Sequence, residues 1–327
     1  MRSAVFVLLS ACVLLLTGCK NASDLETEKT CFAMDTAVTV KGSASDTELV
    51  CDEMRRLDSL FDRYSENSDI YAVNNRLNKE ISLETCELIR QSAALTEKYG
   101  SSVNIFSGSL TDCWNINASE PTVPDADKIF EALEEIRLAD FSLDSMKFMN
   151  GCGSIDVGST AKGYALDCIE KKLGEQYCIV SMTSSILLHG KKPDGKPFNI
   201  AVRDPENAGK SIGSINTGEC FLSTSGGYER YFEADGEKYI HIFDLESGYP
   251  SDTDLTSVTV LCGSGIKSDF LSTLIFLEGS ENLGKYLEYD DIRFLAVTKD
   301  KEIFVSDDMD FTLEKGSGYT VGEWNNE

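Results

Sequence analysis

Between residues 46 and 61 apolar side chains recur at positions 49, 50, 54, 57, 60 and 61, the stripe of an amphipathic helix. Just upstream, DTAVTV at 35–40 alternates with a period of two and predicts a strand. Residues 83–99 repeat the helical pattern, and 125–136, which follow Pro124 and open on Asp125, read as a capped helix. The stretch 136–144, IRLADFSLD, is expected to run extended, and a further helix is expected over 160–173. Strands are expected at 177–182, 198–203, 220–224, 255–262, 293–298 and 302–306, separated by Gly, Pro and Asp turns. Strands dominate the second half and strict strand-helix-strand alternation is rare. The pattern therefore predicts an α+β fold: one large domain of mixed, largely antiparallel sheets flanked by helices.

The two ends of the pattern differ from its body. Residues 1–18 place one Arg before an apolar run too short to span a bilayer, as a secretory signal does. The run ends in Leu16-Thr17-Gly18-Cys19, small residues before a cysteine, which reads as a lipoprotein processing site with Cys19 lipidated. Residues 19–30 are then expected to be the lipidated cysteine and a polar tether, and 31–320 the folded domain. The expectation is an exported protein held to a membrane by a lipid rather than by a span.

A hydrophobic content of 42% with mixed charge suits a globular body of one unit. The formal charge is −25, and −26 once Arg2 leaves with the signal, so a phosphate backbone is repelled and nucleic-acid partners are disfavoured. An acidic protein that handles an anionic nucleotide must concentrate positive charge at the site itself, from a lysine, backbone amides or a bound cation. Nine cysteines remain beyond Cys12 and Cys19, in no CxxC or Cys/His cluster and mostly in apolar context, which predicts buried free thiols rather than a disulfide framework or zinc site.

Three segments carry candidate chemistry. DVGSTAKGYALD, 156–167, gathers small residues, free amides and Lys162 at the mouth of a helix, as an anion needs; a Gly/Ser turn entering a helix is also common without any ligand. STSGGYERYF at 223–232 precedes HIFDLESGYP at 241–250, where His241, one of only two histidines, is placed to act as a base or phosphate ligand or to serve the fold alone. In SDFLST, 268–273, Asp269 and Thr273 are spaced i, i+4 and share a helix face. Hard oxygens so arranged suit Mg²⁺ or Ca²⁺, the plainer alternative being an N-cap Asp and an ordinary helix Thr.

In order along the chain stand Met34-Asp35-Thr36, the run Tyr64 to Asn75, the run to Trp114, and the motifs just quoted. That series resembles the FAD:protein FMN transferase family, the ApbE-like flavin transferases of bacteria, over roughly residues 31–315. The resemblance implies an α+β fold with a flavin-binding cleft. It also implies transfer of FMN from FAD to a Ser or Thr hydroxyl of an exported acceptor flavoprotein, with Mg²⁺ and release of AMP. By resemblance, Asp269 and Thr273 match metal ligands, Ser159 a main-chain carbonyl ligand, and Ser272 an assisting group. Met34, Tyr64, Ser102, Val103, Asn104, Asp156, Lys162 and Phe243 match positions lining the FAD site, and His241 matches the histidine tied to activity, with Asp244 an alternative proton acceptor. The implied location is a bacterial membrane surface, periplasmic or outer.

The series also departs from the family pattern. Asp35 replaces the Gly of Met-Gly-Thr and adds a carboxylate near the flavin phosphates; Ser102-Val103-Asn104 replaces Ala-Phe-Asp; Thr183-Ser184-Ser185 replaces a Gly-Gly-Asn turn that reaches positive φ cheaply. Two other functions stay compatible with the motifs: a metal-dependent FAD pyrophosphatase, and a flavin-binding lipoprotein without turnover.

Overall fold

The computed structural model describes residues 26–324. The signal 1–18, Cys19 and the tether up to residue 25 lie outside the described residues. The chain opens with β1 (Thr27–Ala33) and β2 (Thr36–Gly42), then α1 (Ala44–Phe61), α2 (Asp69–Asn74), α3 (Leu83–Tyr99), α4 (Gly108–Trp114) and α5 (Ala126–Leu138). A small hairpin, β3 (Phe141–Ser142) and β4 (Lys147–Phe148), leads to α6 (Ala161–Glu170). There follow β5 (Cys178–Ser181), β6 (Ser185–His189), β7 (Phe198–Arg203), β8 (Ser211–Thr217), β9 (Cys220–Gly226), β10 (Tyr231–Ala234), β11 (Glu237–Ile240) and β12 (Leu255–Cys262). The chain closes with α7 (Gly265–Glu278), a 3₁₀ turn (Ser280–Glu288), β13 (Ile292–Thr298), β14 (Glu302–Val305), β15 (Asp310–Leu313) and β16 (Thr320–Val321).

A nine-stranded sheet in the order β1-β2-β5-β6-β9-β12-β13-β14-β16 forms the backbone of the molecule, antiparallel except for β14 beside β16. The α+β expectation of one domain with largely antiparallel sheets is met. β12 and β13 are nearly continuous apolar runs because both their faces are covered. Val258, Val260, Phe294 and Ala296 pack with Phe270, Leu271 and Leu274 of α7, while Leu261, Leu295 and Val297 pack with Phe198, Ile212 and Ile215. The latter three belong to the small sheet β15-β8-β7 on the reverse face. A third cluster joins α1 and α6 to β2 and β5 through Met54, Leu57, Tyr164, Val40 and Val180.

The predicted α1 stripe is real: Val50, Cys51, Met54, Leu57 and Phe61 are buried, and Ser43 caps the helix by accepting from the Asp46 amide. Three expectations are corrected. Residues 27–30 are not tether but part of β1, paired with β2 from Thr27 opposite Gly42 to Ala33 opposite Thr36. That strand carries Cys31 against the buried face of α1, where it is disulfide-bonded to Cys51 with Cα atoms 5.9 Å apart, so the expectation of free thiols alone does not hold. The other cysteines among the described residues are free, and Cys178, Cys220 and Cys262 are buried. Lastly, 136–144 is not a strand: α5 continues through Leu138 and only Phe141–Ser142 pairs, with Phe148 and Lys147.

Candidate active site

Helices α6 and α7 and strand β6 meet at Asp269. α6 and α7 cross glycine on glycine: a Cβ at Gly163 would lie 2.1 Å from the Gly265 carbonyl oxygen, and one at Gly265 would lie 2.2 Å from that of Gly163. Asp167 of α6 locks this contact from the other side, accepting from the Gly265 and Ile266 amides at 2.7 and 2.8 Å. Burial pushes its carboxyl group up, an effect those two amides oppose.

The close approach brings the start of α6 against the side chain of Asp269, which is only 4% exposed. Oδ2 accepts from the Gly163 amide at 3.0 Å, and Oδ1 accepts from Ser185 Oγ on β6 at 3.3 Å. Lys162 Nζ stands 4.0 Å from Oδ1 and donates to the Gly158 carbonyl at 3.2 Å. Asp269 lies in the second turn of α7, whose cap is Ser264, so the N-cap alternative for it is excluded. A buried carboxylate inside a helix persists when donors and positive charge surround it, and these do.

Thr273 lies on the same face, as its spacing predicts. Its hydroxyl and that of Ser272 are 3.0 and 2.8 Å from Ser225 Oγ on β9. Because the Gly163 amide bonds Asp269, it does not close the helical bond to Ser159, and no backbone amide among the described residues donates to the Ser159 carbonyl. One carboxylate, a cluster of hydroxyls and a free carbonyl are hard oxygens, the donor type Mg²⁺ takes. Among the described residues no three His, Cys, Asp or Glu side chains gather as a metal set, so this group depends on a single carboxylate.

His241 follows β11. Its amide and Nδ1 both face the Arg230 carbonyl, at 3.1 and 3.2 Å. Burial, with the charges of Arg230 and Lys162 adding to it, pushes the imidazole down to about 4, so the ring is neutral at neutral pH. Donation from Nδ1–H to the carbonyl leaves Nε2 as the acceptor. Asp156 acts on the same ring by charge, in the opposite direction. It also lies 3.6 Å from the buried guanidinium of Arg63, whose plane covers the Tyr64 ring at 5.2 Å. Tyr64 is 61% exposed and lines a surface cavity of about 610 Å³ together with Arg63, Arg76, Asp112 and Lys128.

The structure therefore joins Asp156, Ser159, Lys162, His241, Asp269, Ser272 and Thr273 in one region, with Tyr64 reaching it through Arg63. Other candidates sit differently. Val103 is buried in the α7 core and its carbonyl accepts from Thr96, so its side chain faces no ligand; Ser102 is exposed; Asn104 Oδ1 accepts from the Phe106 amide and shapes a turn. Phe243 stacks on Trp114 at 5.9 Å inside an aromatic cluster, and Trp114 Nε1 donates to the Gly248 carbonyl, which ties those two distant motifs together. Asp244 is committed to its own turn, accepting from the Glu246 amide at 2.9 Å and the Ser247 hydroxyl at 2.8 Å, and leaves His241 as the better placed acceptor.

The departures at 35 and 183–185 prove to be neighbours. Met34 and Asp35 form a two-residue turn with φ of 52° and 56°, the twist a tight hairpin demands and one that Asp tolerates better than most residues. Thr36 and Thr183 share a hydrogen bond between their hydroxyls, and no residue of 183–185 needs positive φ. Met34 packs partly against the α1 core, and its amide donates to Asp58, a carboxyl raised chiefly by burial and further by Asp62 and Asp35.

Sequence reasoning missed four groups. Ser185 and Ser225 fall within segments read for other reasons, and Arg63 is next to Tyr64. Glu229 is a carboxyl raised by burial, with Lys162, Arg203 and Arg230 all within reach of its charge. None has a local pattern to mark it.

Comparison with known proteins places this geometry. The sequence model of the ApbE family matches residues 34–296. An FAD:protein FMN transferase of Klebsiella pneumoniae (strain 342) is 30% identical over 282 residues, covering 82% of this chain and 87% of the relative. One from Treponema pallidum (strain Nichols) is 28% identical, covering 67% of each. Among solved structures, the ApbE protein of Thermotoga maritima superposes with a TM-score of 0.79 at 27% identity, over 86% of this chain and 97% of that one. The apo flavinyl transferase ApbE of Pseudomonas stutzeri gives 0.72 at 26%, over 89% and 95%.

Proposed function

The chain belongs to the ApbE family, and from that premise we propose that it is a Mg²⁺-dependent FAD:protein FMN transferase acting on a Ser or Thr hydroxyl of exported acceptor flavoproteins. The observation that carries this reading is the hard-oxygen set of Asp269, Thr273, Ser272 and the Ser159 carbonyl, held beside Lys162 by the α6–α7 crossing. When bound there, Mg²⁺ supplies Lewis-acid stabilisation of charge on the FAD pyrophosphate as AMP departs.

The chain's own groups do the rest. Lys162 holds phosphate oxygens in an otherwise acidic molecule. His241, neutral and with Nε2 free, takes the proton of the attacking hydroxyl as that oxygen bonds to the phosphorus on the riboflavin side and the bond to AMP breaks. Fixing Nδ1 on the Arg230 carbonyl keeps the ring in the tautomer this requires. Tyr64 and Met34 offer apolar surface for the flavin, Tyr64 from an exposed position backed by Arg63.

Export with a lipid on Cys19 belongs to the same proposal, supported by the leader sequence and by the Cys31–Cys51 disulfide, a bond typical of oxidising compartments. Replacing Asp269 tests the cation assignment. Asp269→Asn is expected to lower Mg²⁺-dependent FMN transfer by on the order of 10³-fold, the equivalent of several kcal/mol. Full activity of that variant at saturating Mg²⁺ would sink the assignment.

A further inference from the structure

β9 meets α7 through hydroxyls. Ser223 and Ser225 point to the helix, Ser223 Oγ lying 2.9 Å from Ser268 Oγ, while Thr224 between them turns to the opposite face and meets Thr259 at 2.9 Å. Ser225 differs from Ser223 in touching two hydroxyls, those of Ser272 and Thr273.

Counting protons narrows the direction of each bond, since a hydroxyl has one to give. Ser272 Oγ is 3.0 Å from the Asp269 carbonyl oxygen, which can only accept, so the Ser272 proton goes there. Ser225, 2.8 Å from Ser272 Oγ, must then donate to it. With the Ser225 proton given to Ser272, the 3.0 Å contact between Thr273 Oγ1 and Ser225 Oγ is a hydrogen bond only if Thr273 donates, and it is shorter than the 3.4 Å contact of Thr273 Oγ1 with the Asp269 carbonyl, the competing acceptor. The result is a directed chain from Thr273 through Ser225 and Ser272 to a backbone carbonyl, each bond polarising the next. Among the described residues, Ser225 is the only side chain within hydrogen-bond distance of Thr273 Oγ1.

We propose that Ser225 is a positioning residue of the cation site: by accepting the Thr273 proton, it turns the Thr273 lone pairs outward as a ligand. This rests on the cation reading of Asp269 and Thr273. Groups that orient a metal ligand set affinity nearly as strongly as the ligand itself, with ~10–100-fold losses on their removal.

The test is calorimetric titration of Mg²⁺ alone into the purified full chain, with a thermal melt of each variant. Thr273→Ala is expected to weaken Mg²⁺ binding sharply, and Ser225→Ala by ~10-fold or more. Ser225→Thr, which keeps the hydroxyl, should restore binding, and Ser223→Ala, which removes an equivalent β9–α7 hydrogen bond, should bind as the parent does. Equal affinities for Ser225→Ala and Ser223→Ala, with Thr273→Ala still impaired, overturn the role of Ser225 and leave the cation site standing. An unaffected Thr273→Ala overturns both. Should Ser225→Ala fail to fold, Ser225→Cys, similar in size but a poor acceptor, must show the same loss.

Discussion

His241 shows how a residue's chemistry comes from its surroundings rather than its type. Free histidine titrates near 6.5; here burial and two nearby cations bring it to about 4. The expected outcome is an imidazole that stays neutral, protonated on Nδ1, from pH 8 to pH 5 in nitrogen-detected NMR, with transfer activity falling ~10²–10⁴-fold in His241→Ala. The linkage has a definite sign. The neutral form is favoured by folding, so this contribution to stability is complete above about pH 6.5 and is lost as pH falls from there toward about 4. At this scale the motif order singled out His241, Asp269, Thr273 and Lys162, which the fold brings into one region. Ser185, Ser225 and Glu229 escaped it, since a serine on a strand reveals nothing of the carboxylate or hydroxyl the fold will set opposite. Val103, singled out by its motif, packs in the core: position in a motif does not say whether a side chain faces the cleft or the core.

The decisive element is the pair α6 and α7. Their glycine contact exists for the site as much as for packing, since it alone lets the Gly163 amide reach Asp269 rather than Ser159. In Gly163→Ala a methyl group would meet backbone at 2.1 Å, with no flexible side chain to yield. A destabilisation of ~2–3 kcal/mol is expected, seen as a fall of roughly 3–5 °C in the melting temperature of a chain this long. Mg²⁺ affinity should fall in the same variant as the amide withdraws; a Gly163→Ala protein with unchanged melting and unchanged affinity would contradict this account. Helices α1, α3 and α5 and strands β7, β12 and β13 were legible because long periodic or continuous apolar runs leave little choice. β1, β6 and β8 were not. β1 and β8 are built largely of Thr, Ser, Glu, Lys, Gly and Asn, while β6 is a short apolar run after a serine turn; neighbouring strands, not local propensity, make them strands.

For the whole molecule, the fold resolves a conflict set by composition. A chain of net charge −25 must receive a dinucleotide with two phosphates. The charges of Lys162, Arg203 and Arg230 all act on Glu229, so cations are gathered in one region of an acidic molecule, where the proposed function needs them. The central claim is that FAD bound there is split toward an acceptor hydroxyl. The most direct test is to incubate the purified protein with FAD, Mg²⁺ and an acceptor flavoprotein, and to measure acceptor mass and free AMP in the same sample. The account predicts a mass gain of one FMN on a Ser or Thr of the acceptor with an equal amount of AMP; AMP released without any adduct, or FAD bound and left intact, would contradict it.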